Sequence, residues 1–584
     1  VRSRRQRQMC IRDRCDGEMQ NYKYNGGAYT RKHFFGKYPE LLELVSDLTD
    51  DDIMKLNRGG HDPFKVYAAY AQAVEHKGQP TVILAGTVKG YGTGVAGEAN
   101  NETHSLKKLD LQSLKQFRDR FNIPLTDKEL ESVPYYRPAP DSPELKYMHA
   151  RRQALGGSIP RRRSTFEPIG APDLKAFSGQ LKGSGEREIS STMAFVRILS
   201  TLTKDKVLGE RVVPIVPDEA RTFGMEGMFR QLGIYSSQGQ LYTPHDAGGI
   251  MYYKEDAKGQ ILEEGINESG AMSAWLASAT SYSAHNAPLI PFYIFYSMFG
   301  FQRIGDLAWA AGDSQARGFL IGATSGRTTL NGEGLQHQDG HSHLVASTIP
   351  NCVSYDPTYG YELAVIVQDG MKRMYELEEN RFYYITTMNE NYAHPEMPLG
   401  AEEGILKGLY QLSQSKSKAK KRVQLMGSGA ILQEVRAAAD LLLDDWGVAA
   451  DVWSMTSSNE LRRDGMACER WNMLNPSEKP RVPYLTQALQ KNGGPFIAAT
   501  DYMKVYADQL RPYIPGTYKV LGTDGFGRSD TRAKLRYFFE VNRYFVTVAA
   551  LTALVEEGAV KAEVVGEALV KYGISGDKPD PVTI

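Results

Sequence analysis

Five short apolar runs between residues 212 and 386 constrain the fold more than any other feature of this chain. They are VVPIV at Val212–Val216 and the runs inside LIPFYIFYSMFG, GFLIGATSG, NCVSYDP and RFYYITT. Each is too short for a helix and too uniformly apolar to turn one face to water. Between them lie stretches with helical spacing. One that precedes the first run, around Ala194–Leu202, sets Phe195, Ile198, Leu199 and Leu202 on one face. The pattern predicts α/β architecture: an open, mostly parallel sheet covered by helices.

A second such unit follows the polar connection SQSKSKAKK, Ser413–Lys421. RVQLMGSGAILQEVRAAADLLLDDWGVAADVWSM reads as strand, glycine turn, helix, strand. The GSG at Gly427–Gly429 lacks the third glycine and the downstream acid of a dinucleotide fingerprint, so it reads as a tight βα turn. Upstream, Leu41, Leu42, Val45 and Leu48 have helix-like spacing, and Asp62-Pro63 starts another helix as cap and first turn. Thr81–Leu84 reads as a short buried strand before a glycine-rich turn through Lys89-Gly90-Tyr91-Gly92, and Thr126–Glu129 forms a capping box. Residues 151–175, rich in Arg, Gly, Pro and Ser, are expected to be a linker.

Charge narrows the partners. Lys plus Arg and Asp plus Glu are both 69, so no global field draws the chain to a polyanion and no nucleic acid is expected. The four cysteines form no CxxC pair, which fits a reducing, cytoplasmic setting without a zinc ribbon. The apolar run Phe545–Val555 is short for a bilayer span and reads as a buried helix, so no membrane is expected. Residues 1–14 carry six Arg without apolar periodicity and are expected to be a scar or a basic leader outside the fold.

The candidate site residues fall at strand ends and in polar loops. Asp218 and Glu219 follow the first run, beyond Pro217, where the edge of a parallel sheet faces the ligand crevice. Glu268 sits among Gly265, Asn267 and Gly270, before a helix of small residues; a carboxylate held there in low dielectric is a strong proton partner. His337, His341 and His343 are spaced closely enough for a metal, but their glycine-rich loop has no cysteine and no HExxH helix, and a polar loop facing a substrate is the leading reading. Lys89 and His104 lie in loops and are not decisive by themselves.

Taken together, DEARTFGMEGMFRQLGIYS, EGINESGAMSAWLA, FYIFYSMFGFQRIGDLAWAAGD, TSGRTTLNGEGLQHQDGHSH, DGMACERWNML and LGTDGFGRSD closely resemble the homodimeric bacterial pyruvate dehydrogenase family, whose fold is related to transketolase. The resemblance runs from about residue 15 to the C-terminus. It implies a transketolase-like thiamine-diphosphate-binding fold with doubly wound, mostly parallel sheets in successive domains: 15–150, the end of a diphosphate-binding domain; 176–400, a pyrimidine-binding domain; 401–584, a transketolase-type C-terminal domain. It implies that Glu268 hydrogen-bonds the aminopyrimidine ring and Phe299 packs on it. Ile266 contacts the cofactor through its backbone, and Asp218 and Glu219 fix the nearby charge network. Tyr296, His337, His104 and Lys89 correspond to residues around substrate and adduct, with His104 on a mobile loop.

The implied reaction is oxidative decarboxylation of pyruvate with acetylation of a lipoyl group on dihydrolipoamide acetyltransferase, using thiamine diphosphate and Mg2+ in a homodimer. The family's Gly-Asp-Gly magnesium motif has no counterpart in this sequence, so the metal ligands are expected upstream. Two other readings stay open: another transketolase-fold enzyme acting on sugar phosphates, and a non-catalytic docking piece of the complex.

Overall fold

A computed structural model describes residues 16–56, 59–158, 165–217, 220–249 and 252–584. The basic segment 1–14 lies outside the described residues, as do Asp218 and Glu219. The chain divides into two compact units, residues 1–157 and 158–584.

The first unit is helical among its described residues. Its helices start where side chains satisfy free backbone N–H groups. Asp62 Oδ1 accepts from the amides of Phe64 and Lys65, at 3.0 and 3.1 Å, and starts the helix Pro63–Glu75. Thr126 and Glu129 form the expected capping box of Asp127–Leu130. The Leu41–Leu48 stretch is not one helix: Pro39–Glu43 ends early, because Thr49 and Asp52 box the start of a separate helix, Asp50–Lys55. Thr81–Leu84 is not a strand, and Val82 and Leu84 are 81% and 87% exposed. A strand needs a neighbour to pair its N–H and C=O groups, and the described part of this unit supplies none.

In the second unit the expected runs form a six-stranded, all-parallel sheet: β1 (Val212–Val216), β2 (Leu262–Glu263), β3 (Ile290–Tyr296), β4 (Phe319–Ala323), β5 (Cys352–Tyr355) and β6 (Phe382–Thr386), in the order β2-β1-β3-β4-β6-β5. Alternation divides the side chains between two cores. Ile215, Tyr293, Phe295, Leu320 and Tyr384 pack with Met272, Trp275, Ile304 and Ala308 of two helices, Glu268–Ala279 and Gly300–Asp313. Val216, Phe292, Ile294, Ile321 and Ile385 pack on the other face with Phe195, Leu199, Leu363 and Ile366 of Ser191–Leu202 and Gly360–Met371. The sheet is therefore doubly wound.

The second sheet contains β7 (Tyr410–Ser413), β8 (Arg422–Gly427), β9 (Ala449–Ser454), β10 (Phe496–Ala499) and β11 (Tyr518–Leu521), in the order β7-β9-β8-β10-β11. Only β7 is antiparallel. Gly429 makes the turn after β8 with φ +50°, and a Cβ at Gly427 would meet the Leu432 backbone at 2.9 Å, so these glycines serve strand–helix packing. The stretch Arg532–Glu556 is long and apolar enough to cross a membrane by length and composition. It is in fact two helices, Arg532–Phe538 and Arg543–Glu556, the second capped by Asn542 and burying Val546, Ala550, Leu551 and Leu554.

The linker expectation needs correction at both ends. The helix Pro143–Ala154 runs into its start, and Phe166 and Ile169 near its end are buried against the second unit's own core. Arg317 holds this return. Its guanidinium lies 5.1 Å from the Phe166 ring and 4.3 Å from that of Tyr282, while Nη2 donates to the Glu378 carbonyl at 2.9 Å.

A buried polar seam joins the two sheets. Asp356 Oδ1 accepts from Thr386 Oγ1 at 2.7 Å, and the Asp356 amide donates to Thr456 O at 2.8 Å. Asp501 Oδ1 accepts from the amide and hydroxyl of Thr328, at 3.1 and 2.8 Å. Arg536 pairs with Glu390 and Glu434. Burial pushes Asp356 and Asp501 up to about 7.

These acids hold a proton in the folded chain at pH values where the unfolded chain, with carboxyls near 3.8, has lost it. Stability contributed by them therefore falls as pH rises from about 4 to about 7. His343 and His394, held at about 4 by burial, act oppositely, favouring the fold as pH rises towards 6.5. Asp356→Asn is expected to make the slope of stability against pH between 4 and 7 more positive, by up to ~1.4 kcal/mol per pH unit. Urea midpoints at pH 5, 6 and 7 read this; an identical slope in both proteins refutes it.

Candidate active site

All six strands of the first sheet are parallel, so their carboxyl ends share one edge, and the segments leaving that edge carry the candidate residues. After β2 the chain turns through Gly265, with φ +76°, and enters the helix at Glu268. Asn267 caps that helix by accepting from the Gly270 amide at 3.0 Å. The cap places Glu268 in the first helical turn, where an acid is favoured by the exposed N–H groups. Glu268 is only 8% exposed. Its Oε1 accepts from Arg303 Nη1 at 2.5 Å. Burial, then the nearby Glu268 charge, keeps the Tyr293 phenol protonated well beyond its ordinary range.

β3 ends in Tyr296-Ser297-Met298-Phe299, which brings two rings to the same edge. The Tyr296 and Phe299 centroids are 5.9 Å apart, edge to face, and the His337 ring lies 5.1 Å from each. Phe223 extends the cluster at 5.4 Å from Tyr296. The Arg303 guanidinium lies 4.3 Å from the Phe299 centroid, so Glu268, Arg303, Phe299, His337 and Tyr296 form one continuous group.

The loop carrying His337 is pinned from the second sheet's side. Asp501 holds Thr328, Arg327 Nη1 donates to the carbonyls of Thr523 and Gly525, and Gln338 Nε2 donates to Arg528 O at 2.6 Å. His337 Nδ1 is buried and makes no hydrogen bond; the nearest carboxylate oxygen, Glu333 Oε2, is 3.6 Å away.

The three histidines of this loop go to different places. His337 joins the ring cluster, His341 meets Gln302 Nε2 at 2.8 Å, and His343 is fully buried against Thr386 Oγ1 at 3.0 Å and the Tyr506 ring. Among the described residues no three His, Cys, Asp or Glu side chains are placed to hold a metal ion. The three rings therefore do not converge on one point.

Ile266 is 75% exposed, on the turn before Glu268. Asp218 and Glu219 lie outside the described residues. Lys89 and His104 belong to the first unit. Both side chains are exposed on one tightly tied segment: the Ala99 amide donates to Lys89 O at 2.9 Å, and Asn100 caps the turn Asn101–His104. Within it Glu98 accepts from the Gly92 amide at 3.1 Å and from Arg120 Nη1 at 2.5 Å.

Sequence reasoning missed Arg303, Phe223 and Tyr293. The available signal for Arg303 was its spacing, four residues beyond Phe299 on a helix, which lays its side chain back over the ring.

Comparison with known proteins bears on the whole arrangement. A family model for the pyruvate dehydrogenase E1 component middle domain matches residues 168–395, and one for the transketolase-like C-terminal domain matches residues 408–542. The chain is 65% identical over 568 residues to the pyruvate dehydrogenase E1 component of Pseudomonas aeruginosa and 58% identical over 569 residues to that of Escherichia coli K12. Both alignments take in 97% of this chain but 64% of the relative, so the chain spans a little under two thirds of their length. Among solved structures, transketolase from Campylobacter jejuni matches with TM-score 0.56 and 16% identity, covering 84% of this chain and 66% of that one. Transketolase from Leishmania mexicana matches with TM-score 0.54 and 15% identity, covering 90% and 66%. At such identity the likeness is one of fold, and the fold is the transketolase-like α/β class expected from the sequence.

The cap that sets Glu268 in place gives a direct test. Asn267→Ala is expected to cost about 1 kcal/mol and Asn267→Gly only a few tenths. Thermal melts, together with hydrogen exchange at the Gly270 amide, report it; equal costs for the two variants rule out the capping role.

Proposed function

We propose that the chain belongs to the pyruvate dehydrogenase E1 component family and that its site serves thiamine-diphosphate-dependent oxidative decarboxylation of pyruvate. The reading extends to reductive acetylation of the lipoyl group of dihydrolipoamide acetyltransferase, by a cytoplasmic homodimer within the pyruvate dehydrogenase complex. One observation carries it: the Glu268 carboxylate is buried at the carboxyl edge of a parallel sheet and linked through Arg303 to the Phe299 ring.

The residues fit the pyrimidine end of the cofactor. An aminopyrimidine needs a carboxylate to accept its ring N–H and an aromatic face to pack on, and Glu268 and Phe299 provide both on adjoining elements. The unpartnered Nδ1 of His337 and the unpartnered buried hydroxyl of Ser297 leave polar capacity beside them. Thiamine diphosphate, when bound, supplies the carbon nucleophile for the keto carbon of pyruvate and takes up the electron pair released with carbon dioxide.

The chain's own residues do the rest. Glu268 orients the ring and holds a proton at its nitrogen. Phe299 fixes the ring plane, and Ile266 offers backbone contacts on the turn before Glu268. His337 and Tyr296 give hydrogen-bonding groups for the pyruvate carboxylate and for charge developing on its oxygen. Asp218 and Glu219 complete the charge network. Lys89 and His104 are, on this reading, the further polar groups for substrate and adduct, supplied by the first unit. The magnesium ligands belong, on this reading, to the part of the family's sequence that this chain does not span.

A second reading is a docking piece of the complex without turnover of its own. Titration with thiamine diphosphate and Mg2+, followed by an assay of pyruvate-dependent decarboxylation, separates the two. Saturable binding with turnover is expected once the chain is joined to the part of the family's sequence that it does not span, and Glu268→Gln in that protein is expected to lower turnover by roughly 10²- to 10⁴-fold with the fold intact. If that longer protein neither binds nor turns over while this chain still associates with the acetyltransferase, the docking reading stands.

A further inference from the structure

We propose that Thr324 is a substrate-binding residue of the site: its hydroxyl, held by a strained backbone at the end of β4, donates to an oxygen of the bound 2-oxo acid. The inference rests on the reading of Tyr296 and His337 given above and adds a residue that the reading does not use.

Two independent observations meet at this residue. The first is backbone strain. Thr324 has φ +50°. A β-branched side chain in the left-handed region crowds its own backbone, and such outliers collect where a structure serves a ligand. Among the described residues Val133 is the other β-branched residue with positive φ, and it is exposed, whereas Thr324 is 1% exposed. The second is an unmet hydrogen bond. Thr324 Oγ1 is buried and bonds to nothing among the described residues. A buried hydroxyl without a partner weakens the fold, so this one calls for a partner from outside the chain.

The strain is imposed from both sides. Gly322 O accepts from the Thr387 amide at 2.9 Å, and the Ser325 amide donates to Thr387 O at 3.0 Å. Ser325 Oγ also donates to Thr387 O at 3.2 Å and accepts from the Tyr502 hydroxyl at 3.0 Å. Its neighbours are thus tied to the end of β6 and to the second sheet, which holds Thr324 in a conformation it would otherwise leave.

Position assigns the ligand. The order β2-β1-β3-β4 lays the carboxyl ends along one edge, with neighbouring strands about 4.8 Å apart. Glu268 and Phe299, which serve the aminopyrimidine on the reading above, leave β2 and β3. Tyr296 and Ala323 are register partners at the ends of β3 and β4. Thr324 is therefore one residue beyond the partner of Tyr296, and it opens the loop that carries His337. Both of those residues serve the substrate on the same reading. An ionised 2-oxo acid offers acceptor oxygens and no donor, which suits a hydroxyl that has a proton to give.

Two substitutions separate the hydroxyl from the branch. Thr324→Val keeps the branched shape and removes the donor, whereas Thr324→Ser keeps the donor and removes the branch. Melting temperatures are measured on this chain. The kcat/KM for pyruvate is measured with thiamine diphosphate and Mg2+ on the chain joined to the part of the family's sequence that it does not span. Thr324→Val is expected to melt no lower than the parent, because the lost hydroxyl bonded nothing in the fold. Thr324→Ser is expected to melt at the parent's temperature or up to ~2 °C above it, because relieved strain offsets the lost methyl. The kcat/KM is expected to fall about 10- to 100-fold in Thr324→Val and to stay within about three-fold of the parent in Thr324→Ser.

A Thr324→Val protein that melts below the parent shows a hydroxyl serving the fold, through a bound water for instance, and overturns the proposal. An unchanged kcat/KM in Thr324→Val, an equal loss in both variants, or a Thr324→Ser protein that melts below the parent does the same. Where the parent turns over pyruvate in those cases, the reading of the Glu268 site stands without Thr324. If the parent does not turn over, that reading falls and the role of Thr324 falls with it.

Discussion

The hydrogen bonds of the six-stranded parallel sheet are the constraint from which the rest of the second unit follows. A parallel pair cannot be closed by a short hairpin, so each strand must be followed by a crossover that returns the chain to the starting edge. All strands then release their carboxyl ends on one side. The segments that leave β2, β3 and β4 are therefore neighbours in space, although Glu268, Phe299 and His337 are spread over 70 positions of sequence. Both faces must also be covered, which accounts for strands apolar at every position and for two cores in place of one.

The second sheet does not form a separate compact body; residues 158–584 hold together as one unit. Its attachment is polar as well as apolar. Glu362 is fully buried yet accepts from Tyr410 and Ser454, both at 2.6 Å, and from the amides of Thr358 and Tyr359. Asn459 bridges to Ser354 Oγ at 2.7 Å and His343 O at 2.8 Å. Such directional bonds fix one arrangement of the two sheets where an oily contact would tolerate several. The same seam pins the loop 324–341, so the position of His337 in one sheet's site depends on Asp501, Thr523 and Arg528 of the other.

The sequence made the second unit readable because its signals are local and self-sufficient. Val212–Val216, Ile290–Tyr296 and Phe382–Thr386 are strands by composition, and their partners are other strands of the same kind. Caps were equally readable at Asp62 and Thr126, since a cap needs only its own first turn. Thr81–Leu84 failed for the opposite reason. Its composition suits a buried strand, but pairing is not a property of the segment, and Val82 and Leu84 stand exposed together with Phe64, Tyr67 and Val74 of the neighbouring helix sequence. Segment 151–175 does contain the boundary between the two units, but its low apolar content hides two anchors, Phe166 and Ile169, the first packed on a distant arginine. In the site, Glu268, Phe299, Tyr296 and His337 were legible as types at strand ends. Arg303 was not, because a lone arginine on a helix surface reads as a solvated charge until its two contacts are seen together.

The site thus holds opposite demands on one carboxylate. To act on a heterocycle, Glu268 must be dry, since water would compete for its oxygen and weaken every charge-assisted bond it makes. To persist in an empty protein, it must be compensated, since burial alone disfavours the charged form. Helix N–H groups meet part of that demand, but they are fixed and also satisfy the Asn267 cap. A side chain from a different helix, Arg303, meets the remainder. The position of Arg303, one turn after the aromatic that defines the ring's plane, lets a single side chain satisfy the carboxylate and cover Phe299 at once. An arginine elsewhere on the rim could do one of these, but geometry along one helix is what joins both.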